Sequence, residues 1–151
     1  MLAKDIMTPE VTAIDTQTTV EQAARLMVKQ NVSCLPITNS LHQLVGIVTH
    51  TDFVAKKKFL PLAENLYTLL GSVVNPYSIE EAANKLGAKQ IVEVMTTPVV
   101  TIEENEEFGE VVKKMVTMKV NRLPVMKSGH IVGIITRHDL LKAMVNDSYA
   151  M

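Results

Sequence analysis

The chain repeats itself at an interval of 88 residues (Met7 to Met95), and this limits its fold more than any other feature. Asp5 to Val54 and Glu93 to Leu141 carry the same ordered series: Met-Thr, an apolar helical stripe, Leu-Pro, then Gly-Ile-(Val/Ile)-Thr-x-x-Asp. Thr8 falls on Thr96, Ile14 on Ile102, Met27 on Met115, Val32 on Val120, and Leu35-Pro36 on Leu123-Pro124. After a one-residue deletion in a loop, Gly46 to Asp52 falls on Gly133 to Asp139. Two copies of a unit that neither could build alone imply a module with pseudo-twofold symmetry, closed as a pair rather than stacked as a solenoid.

The repeat extends into the helices. Val20, Ala23, Ala24, Met27 and Val28 follow the spacing of one helix face, and Phe108, Val111, Val112, Met115 and Val116 occupy the same places in the second copy. Thr18 with Glu21 reads as a capping box at the start of the first of these helices. Each copy reads strand, helix, strand, strand, helix. The first runs Val11–Ile14, Val20–Gln30, Leu35–Thr38, Leu44–Val48 and a helix after Thr49. The second runs Val99–Ile102, Phe108–Met118, Leu123–Met126, Ile131–Ile135 and a helix from Arg137 to about Val145. Between them, residues 55–92 have a helical pattern of their own. Pro61 suits a helix start, Leu62, Leu66, Leu69 and Leu70 form a stripe, and Gly71 suits a stop. Ser78 with Glu81 forms a second capping box, followed by Ile79, Ala82, Ala83 and Leu86 on one face and Gly87 as a stop.

Composition narrows the partners. Apolar residues make up 47% of the 151 residues and aromatic ones 4%, so a core of aliphatic residues and methionine is expected rather than disorder. Fifteen basic residues nearly balance sixteen acidic ones, which leaves no global field to attract nucleic acid or an anionic membrane. The cluster Lys56-Lys57-Lys58 reads as a solvated helix face. The single cysteine, Cys34, rules out an internal disulfide and sits in an apolar run as a buried thiol. With no long apolar stretch, the expectation is a soluble cytoplasmic protein.

The motif that ends each copy carries the chemistry. An apolar strand stops at a threonine, a helix begins, and an aspartate follows one turn in. Thr49 can cap that helix, and Asp52 at its third position favours the positive end of the helix dipole. The same turn presents backbone N–H groups to an anion, and a carboxylate there can accept both hydroxyls of a ribose diol. Hydroxyl, amides and carboxylate together suit a nucleoside phosphate.

The duplicated Met-Thr … Leu-Pro-(Ile/Val) … Gly-Ile-(Val/Ile)-Thr-x-x-Asp pattern resembles a pair of cystathionine β-synthase (CBS) domains, over both halves of the chain. The resemblance implies an α+β fold of two β-α-β-β-α motifs, residues 1–54 and 93–146. They would be packed by pseudo-twofold symmetry into one module, with the helical insertion 55–92 between them. It implies an adenosine-type ligand in a cleft between the motifs: AMP, ADP, ATP or S-adenosylmethionine. Asp52 and Asp139 would take the ribose hydroxyls, and Thr49 and Thr136 the phosphate. The strands Leu35-Pro36-Ile37 and Leu123-Pro124-Val125 would hold the adenine by backbone contacts and apolar packing. The nucleotide would be a regulatory ligand rather than a required cofactor.

The two copies differ where the ligand would sit. The second has Arg122 before Leu-Pro and Arg137 after the site threonine; the first has Cys34 and His50. A guanidinium pairs with phosphate bidentately, whereas a neutral imidazole offers one donor. The four histidines, His42, His50, His130 and His138, lack the i, i+4 spacing of a helical zinc pair, and no cysteine partner stands beside them. No nucleophile elbow, Walker loop or spaced Cys-His pair is present, and no catalytic motif pairs either threonine with an evident general base. The expectation is therefore a sensor without catalytic activity, acting through an unidentified effector protein, and the resemblance implies a homodimer. A dimerisation or docking module without a physiological nucleotide, and a cyclic-dinucleotide sensor, are the alternatives.

Overall fold

A computed structural model of the chain describes residues 1–55 and 84–149. The lysine cluster at 56–58, the leucine stripe from Leu62 to Leu70, Gly71 and the Ser78–Glu81 box lie outside these residues. In chain order the described elements are α1 (Ala3–Ile6), β1 (Ile14–Asp15), α2 (Val20–Gln30), β2 (Cys34–Thr38), β3 (Leu44–Thr49) and α3 (Asp52–Ala55). A 3-10 turn (Ile91–Glu93) follows, then β4 (Ile102–Glu103), α4 (Phe108–Thr117), β5 (Arg122–Lys127), β6 (His130–Thr136) and α5 (Arg137–Tyr149). Residues 84–88 are also helical, so Gly87 does not stop that helix where the sequence suggests. The strand, helix, strand, strand, helix order holds in both copies, and the fold is mixed α and β.

The strands form two three-stranded sheets, β1-β2-β3 and β4-β5-β6. The first pair in each is parallel because a helix crosses over between its strands: Ile14 opposes Ile37, and Ile102 opposes Val125. β5 and β6 form an antiparallel pair with Arg122 opposite Thr136, and a register shift at Val125/Met126.

By contact the chain divides into two compact units that cut across the linear repeats. One comprises Ala13–Leu41 and Val45–Pro98, the first-repeat unit; the other comprises Met1–Thr12, His42–Leu44 and Val99–Met151, the second-repeat unit. Their cores match position by position. Ile14, Ala23, Met27, Leu35, Ile37 and Val48 are buried in one; Ile102, Val111, Met115, Leu123, Val125 and Ile135 are buried in the other. Each core is completed by the segment that precedes the opposite Met-Thr: Ile91 and Val94 in the first-repeat unit, Ala3 and Ile6 in the second.

These segments are fastened by equivalent backbone bonds. The Phe108 N–H, at the start of α4, donates to the Met1 carbonyl at 3.0 Å, and the Val20 N–H, at the start of α2, donates to the Lys89 carbonyl at 2.8 Å. Ala3 N–H reaches the Glu106 carbonyl and Ile91 N–H that of Thr18, both at 2.8 Å. Helix starts leave orphan donors, and here a carbonyl of the chain itself satisfies one. Thr8 then exchanges two bonds with Ile134 (2.9 and 3.0 Å), as Thr96 does with Ile47 (2.8 and 3.1 Å). Neither α1 nor the 3-10 turn is apparent from periodicity, since each is a single turn held by tertiary contacts.

Two local readings are corrected. The cap of α2 is Thr19 with Gln22: Gln22 N–H donates to Thr19 Oγ1 at 3.2 Å and Thr19 N–H to Gln22 Oε1 at 3.0 Å. Thr18 instead closes a turn on Asp15, with its N–H to the carbonyl at 3.3 Å, while Glu21 pairs with Arg25 on the exposed face. The helix stripe is also narrower than its spacing suggests: Val20, Ala23 and Met27 are buried, but Val28 is 83% and Val116 71% exposed.

The paired glycines follow from the same fastening. A Cβ on Gly133 would overlap Met7 Sδ and lie 2.8 Å from its Cγ and 3.1 Å from its Cβ; Gly46 stands in the same relation to Met95. Met-Thr and Gly-Ile are thus two halves of one contact. Because overpacking costs about 1–3 kcal/mol, Gly133→Ala is expected to lower stability by that amount in denaturant titration. Met7→Ala in the same chain should restore part of it, and additive losses in the double-mutant cycle would break the assignment.

Candidate functional site

The strands β3 and β6 each end in a threonine whose next residues turn into a helix. Both turns are tied back to the residue just before the neighbouring strand: His50 N–H donates to the Ser33 carbonyl at 3.2 Å, and Arg137 N–H to the Asn121 carbonyl at 3.2 Å. The aspartate one turn in then reaches back. Thr49 N–H donates to Asp52 Oδ2 at 2.8 Å, and Thr136 N–H to Asp139 Oδ2 at 2.8 Å. In α5, which begins at Arg137, this is a carboxylate at the third helical position satisfying the donor at the cap; α3 begins only at Asp52, and the same bond there closes the turn before the helix.

The hydroxyls part company. Thr136 Oγ1 donates to Asp139 Oδ2 at 2.8 Å and faces the Asp139 N–H at 3.4 Å, which closes a reciprocal cap. Thr49 Oγ1 instead pairs with Thr51 Oγ1 at 2.8 Å. Asp139 is buried at 9% exposure and is the one buried charged or polar side chain among the described residues; Asp52 is half-buried. Both Thr136 bonds to the Asp139 carboxylate go to Oδ2, which leaves Oδ1 for a further donor. A threonine hydroxyl committed to its own carboxylate must be released before it can serve a phosphate, so the two turns are chemically unequal beyond the difference in their cations.

The other site residues fall around these turns. Leu35, Pro36 and Ile37, and Leu123, Pro124 and Val125, are fully or almost fully buried, with four of the six in the hydrophobic cores. What these strands can offer a ligand is therefore backbone, because their side chains are spent on packing. Arg122 is half-buried and opposite Thr136 in the β5–β6 ladder, which brings its strand position to the same turn as Asp139 within the second-repeat unit. Arg137 and His50 are exposed. His50 Nδ1 lies 3.4 Å from the Ser33 carbonyl. Cys34 is a buried thiol outside any disulfide, as its apolar setting predicts. Sequence reasoning missed Thr51 and Asn121: Thr51 occupies an unspecified place in the motif, and Asn121 acts through its carbonyl, which no residue type reveals.

Among the described residues, no three His, Cys, Asp or Glu side chains gather where a metal ion could be held. No helix of the described residues is long and apolar enough to cross a membrane.

A repeated strand–threonine–helix turn with an inward aspartate, on two matching β-α-β-β-α cores, defines a class, and comparison with known proteins names it. The CBS domain family matches residues 3–58 and 88–146. The chain belongs to that family. An uncharacterised protein of Methanocaldococcus jannaschii is 29% identical, over 96% of this chain and 92% of its own. The chloroplastic CBS domain-containing protein CBSX1 of Arabidopsis thaliana is 27% identical over 83% of this chain, which spans 56% of that protein. The CBS domain pair of protein MJ0100, solved in complex with 5′-methylthioadenosine and S-adenosyl-L-methionine, is 28% identical. It superposes with a TM-score of 0.71 over 97% of this chain and 98% of its own.

Proposed function

We propose that this chain is a non-catalytic regulatory module that binds adenosine-containing ligands at its two Thr-x-x-Asp turns. The observation that carries the reading is Asp139: a buried carboxylate is costly unless paired, and this one is held by its own turn with one oxygen left over. A ribose diol supplies two donors for such an oxygen, and Asp52 stands at the equivalent place, taking the Thr49 N–H as Asp139 takes that of Thr136. The adenosyl compounds bound by the MJ0100 pair support the ligand class. In this reading Asp52 and Asp139 take ribose hydroxyls, the backbone of the Leu-Pro strands lines the base, and Arg122 with Arg137 attracts a phosphate.

Because both carboxylates also cap their turns, alanine would remove the cap together with the ligand contact. Asparagine keeps an acceptor for the threonine amide and removes the charge. Asp52→Asn and Asp139→Asn are each expected to weaken binding at one turn by about tenfold, the loss of a charge-assisted bond of roughly 1.5 kcal/mol, with the midpoint of thermal unfolding nearly unchanged. Arg137→Ala should reduce affinity for AMP far more than for adenosine, and the difference should shrink in high salt. Calorimetry with adenosine and AMP checks all three. A double Asn variant that binds like the parent removes the site assignment.

The same reading includes a second copy of the chain and an effector protein. Support for the second copy comes from the exposed apolar residues Val116, Met118, Leu141, Met144 and Val145 on or beside α4 and α5 of the second-repeat unit. Light scattering at micromolar concentration is expected to give twice the chain mass, and a clean single-chain mass would remove the homodimer.

A further inference from the structure

The strap of residues 2–8 precedes the first repeat in sequence but is seated on the second. Ala3 is fully buried there, and Ile6 and Met7 pack against the same core. Lys4 N–H donates to the Glu104 carbonyl at 3.0 Å, beside the bonds of Ala3 to Glu106 and of Thr8 to Ile134. At the exposed rim Lys4 Nζ donates to Asn105 Oδ1 at 3.0 Å. None of these contacts requires strap and seat to belong to one molecule.

The link that joins the strap to its own repeat is strained. Thr8 is held on Ile134, and the chain passes through Pro9, Glu10, Val11 and Thr12 before it enters the first-repeat unit at Ala13. Glu10 has φ 60°, a left-handed conformation that a residue with a Cβ adopts at a cost. The other non-glycine residues of positive φ among the described ones are Asn31, His42, Lys119 and Ser128. They follow helices or lie in the loops between paired strands, where the turn itself calls for that conformation. Glu10 does neither. At the interval of 88 residues its counterpart is Pro98, whose ring excludes a positive φ, so the second strap has no left-handed residue at this place.

We propose that the seat of the first strap also takes the strap of a second copy of this chain, giving a dimer in which residues 1–8 are exchanged reciprocally across an opened link at Pro9 and Glu10. Exchange keeps every bond between strap and seat and releases Glu10 from its left-handed conformation in both chains. Within one chain the strap acts at a high effective concentration, so the exchanged dimer gains as the chain is concentrated. Because Ala3 belongs to the core, strap and seat part only when that core opens, and exchange takes place on folding. This rests on the reading that the chain pairs with a second copy, and names the contact.

The test refolds the full chain over a range of concentrations. Lys4→Cys and Asn105→Cys mark strap and seat at exposed positions. Cys34, 7% exposed, lies out of reach of a short bismaleimide, and the parent chain is the control. Co-refolding the two variants should give a covalently linked dimer that neither gives alone. The double variant should pass from internal links to linked dimers as the refolding concentration rises. Glu10→Gly removes the cost of the left-handed link, so the dissociation constant of the dimer should rise about tenfold for each of its two links. Glu10→Pro excludes that link and should give a dimer at concentrations where the parent is a single chain. If Glu10→Pro does not fold, the co-refolded variants and Glu10→Gly decide the outcome. A dimer by light scattering whose co-refolded variants never link overturns the exchange and leaves the homodimer reading standing. Linked dimers of equal strength in the parent and Glu10→Gly overturn the role of the link. A single-chain mass at every concentration removes the homodimer reading and the exchange together.

Discussion

The structure depends on a short strap of backbone pairing: Thr8 with Ile134, and Thr96 with Ile47. Each pair fastens a Met-Thr segment along the strand that ends, two residues later, in the site threonine. Backbone donors and acceptors buried without partners are expensive, so an edge left open here would cost both the strand and the turn it delivers. The same strap seats Ala3 or Ile91 in a core that otherwise lacks one wall, and a carbonyl of the same segment caps α4 or α2. The methionine of the motif lies over a glycine because no other side chain leaves it room. The motif residues that look unrelated in sequence, Met-Thr and Gly-Ile, are the two sides of this one fastening.

The chemistry at the turns follows from that support. Once β6 is held, Thr136 can place both its amide and its hydroxyl on Asp139 Oδ2 and keep a charged group stable at 9% exposure. Such a cap needs no ligand to exist, and it stabilises α5 whether or not a nucleotide binds. In the proposed reading, function enters through the second oxygen of Asp139 and through the residues around each turn. In the second copy those residues are Arg122 and Arg137; in the first they are Cys34 and His50. Duplication has therefore kept the support and varied the surroundings of the two turns.

The sequence revealed what is periodic and what is repeated. The five-element order of each copy, most strand and helix limits to within a few residues, and the threonine–aspartate turns could all be read from spacing, and the duplicated motifs led to the family. Single-turn elements could not be read: α1 and Ile91–Glu93 are too short for a period and owe their conformation to contacts with Glu106 and Thr18. Two competing hydroxyls confused the cap of α2, because Thr18 and Thr19 both precede an acceptor three places on and only the Asp15 turn decides between them. Helical spacing also overstated the buried face, since Val28 and Val116 continue the pattern beyond the point where a sheet residue can cover them. The partner of each threonine hydroxyl depends on a rotamer, and no residue pattern encodes it.

Native-state hydrogen exchange tests the strap most directly. The amides of Thr8, Ile134, Thr96 and Ile47 should exchange only on the same global opening that releases the Leu123 and Ile135 amides, with a denaturant dependence equal to theirs. Exchange of Thr8 and Ile134 by local fraying, while Leu123 and Ile135 remain protected, would contradict this. The strap would then be an ornament on a self-sufficient repeat.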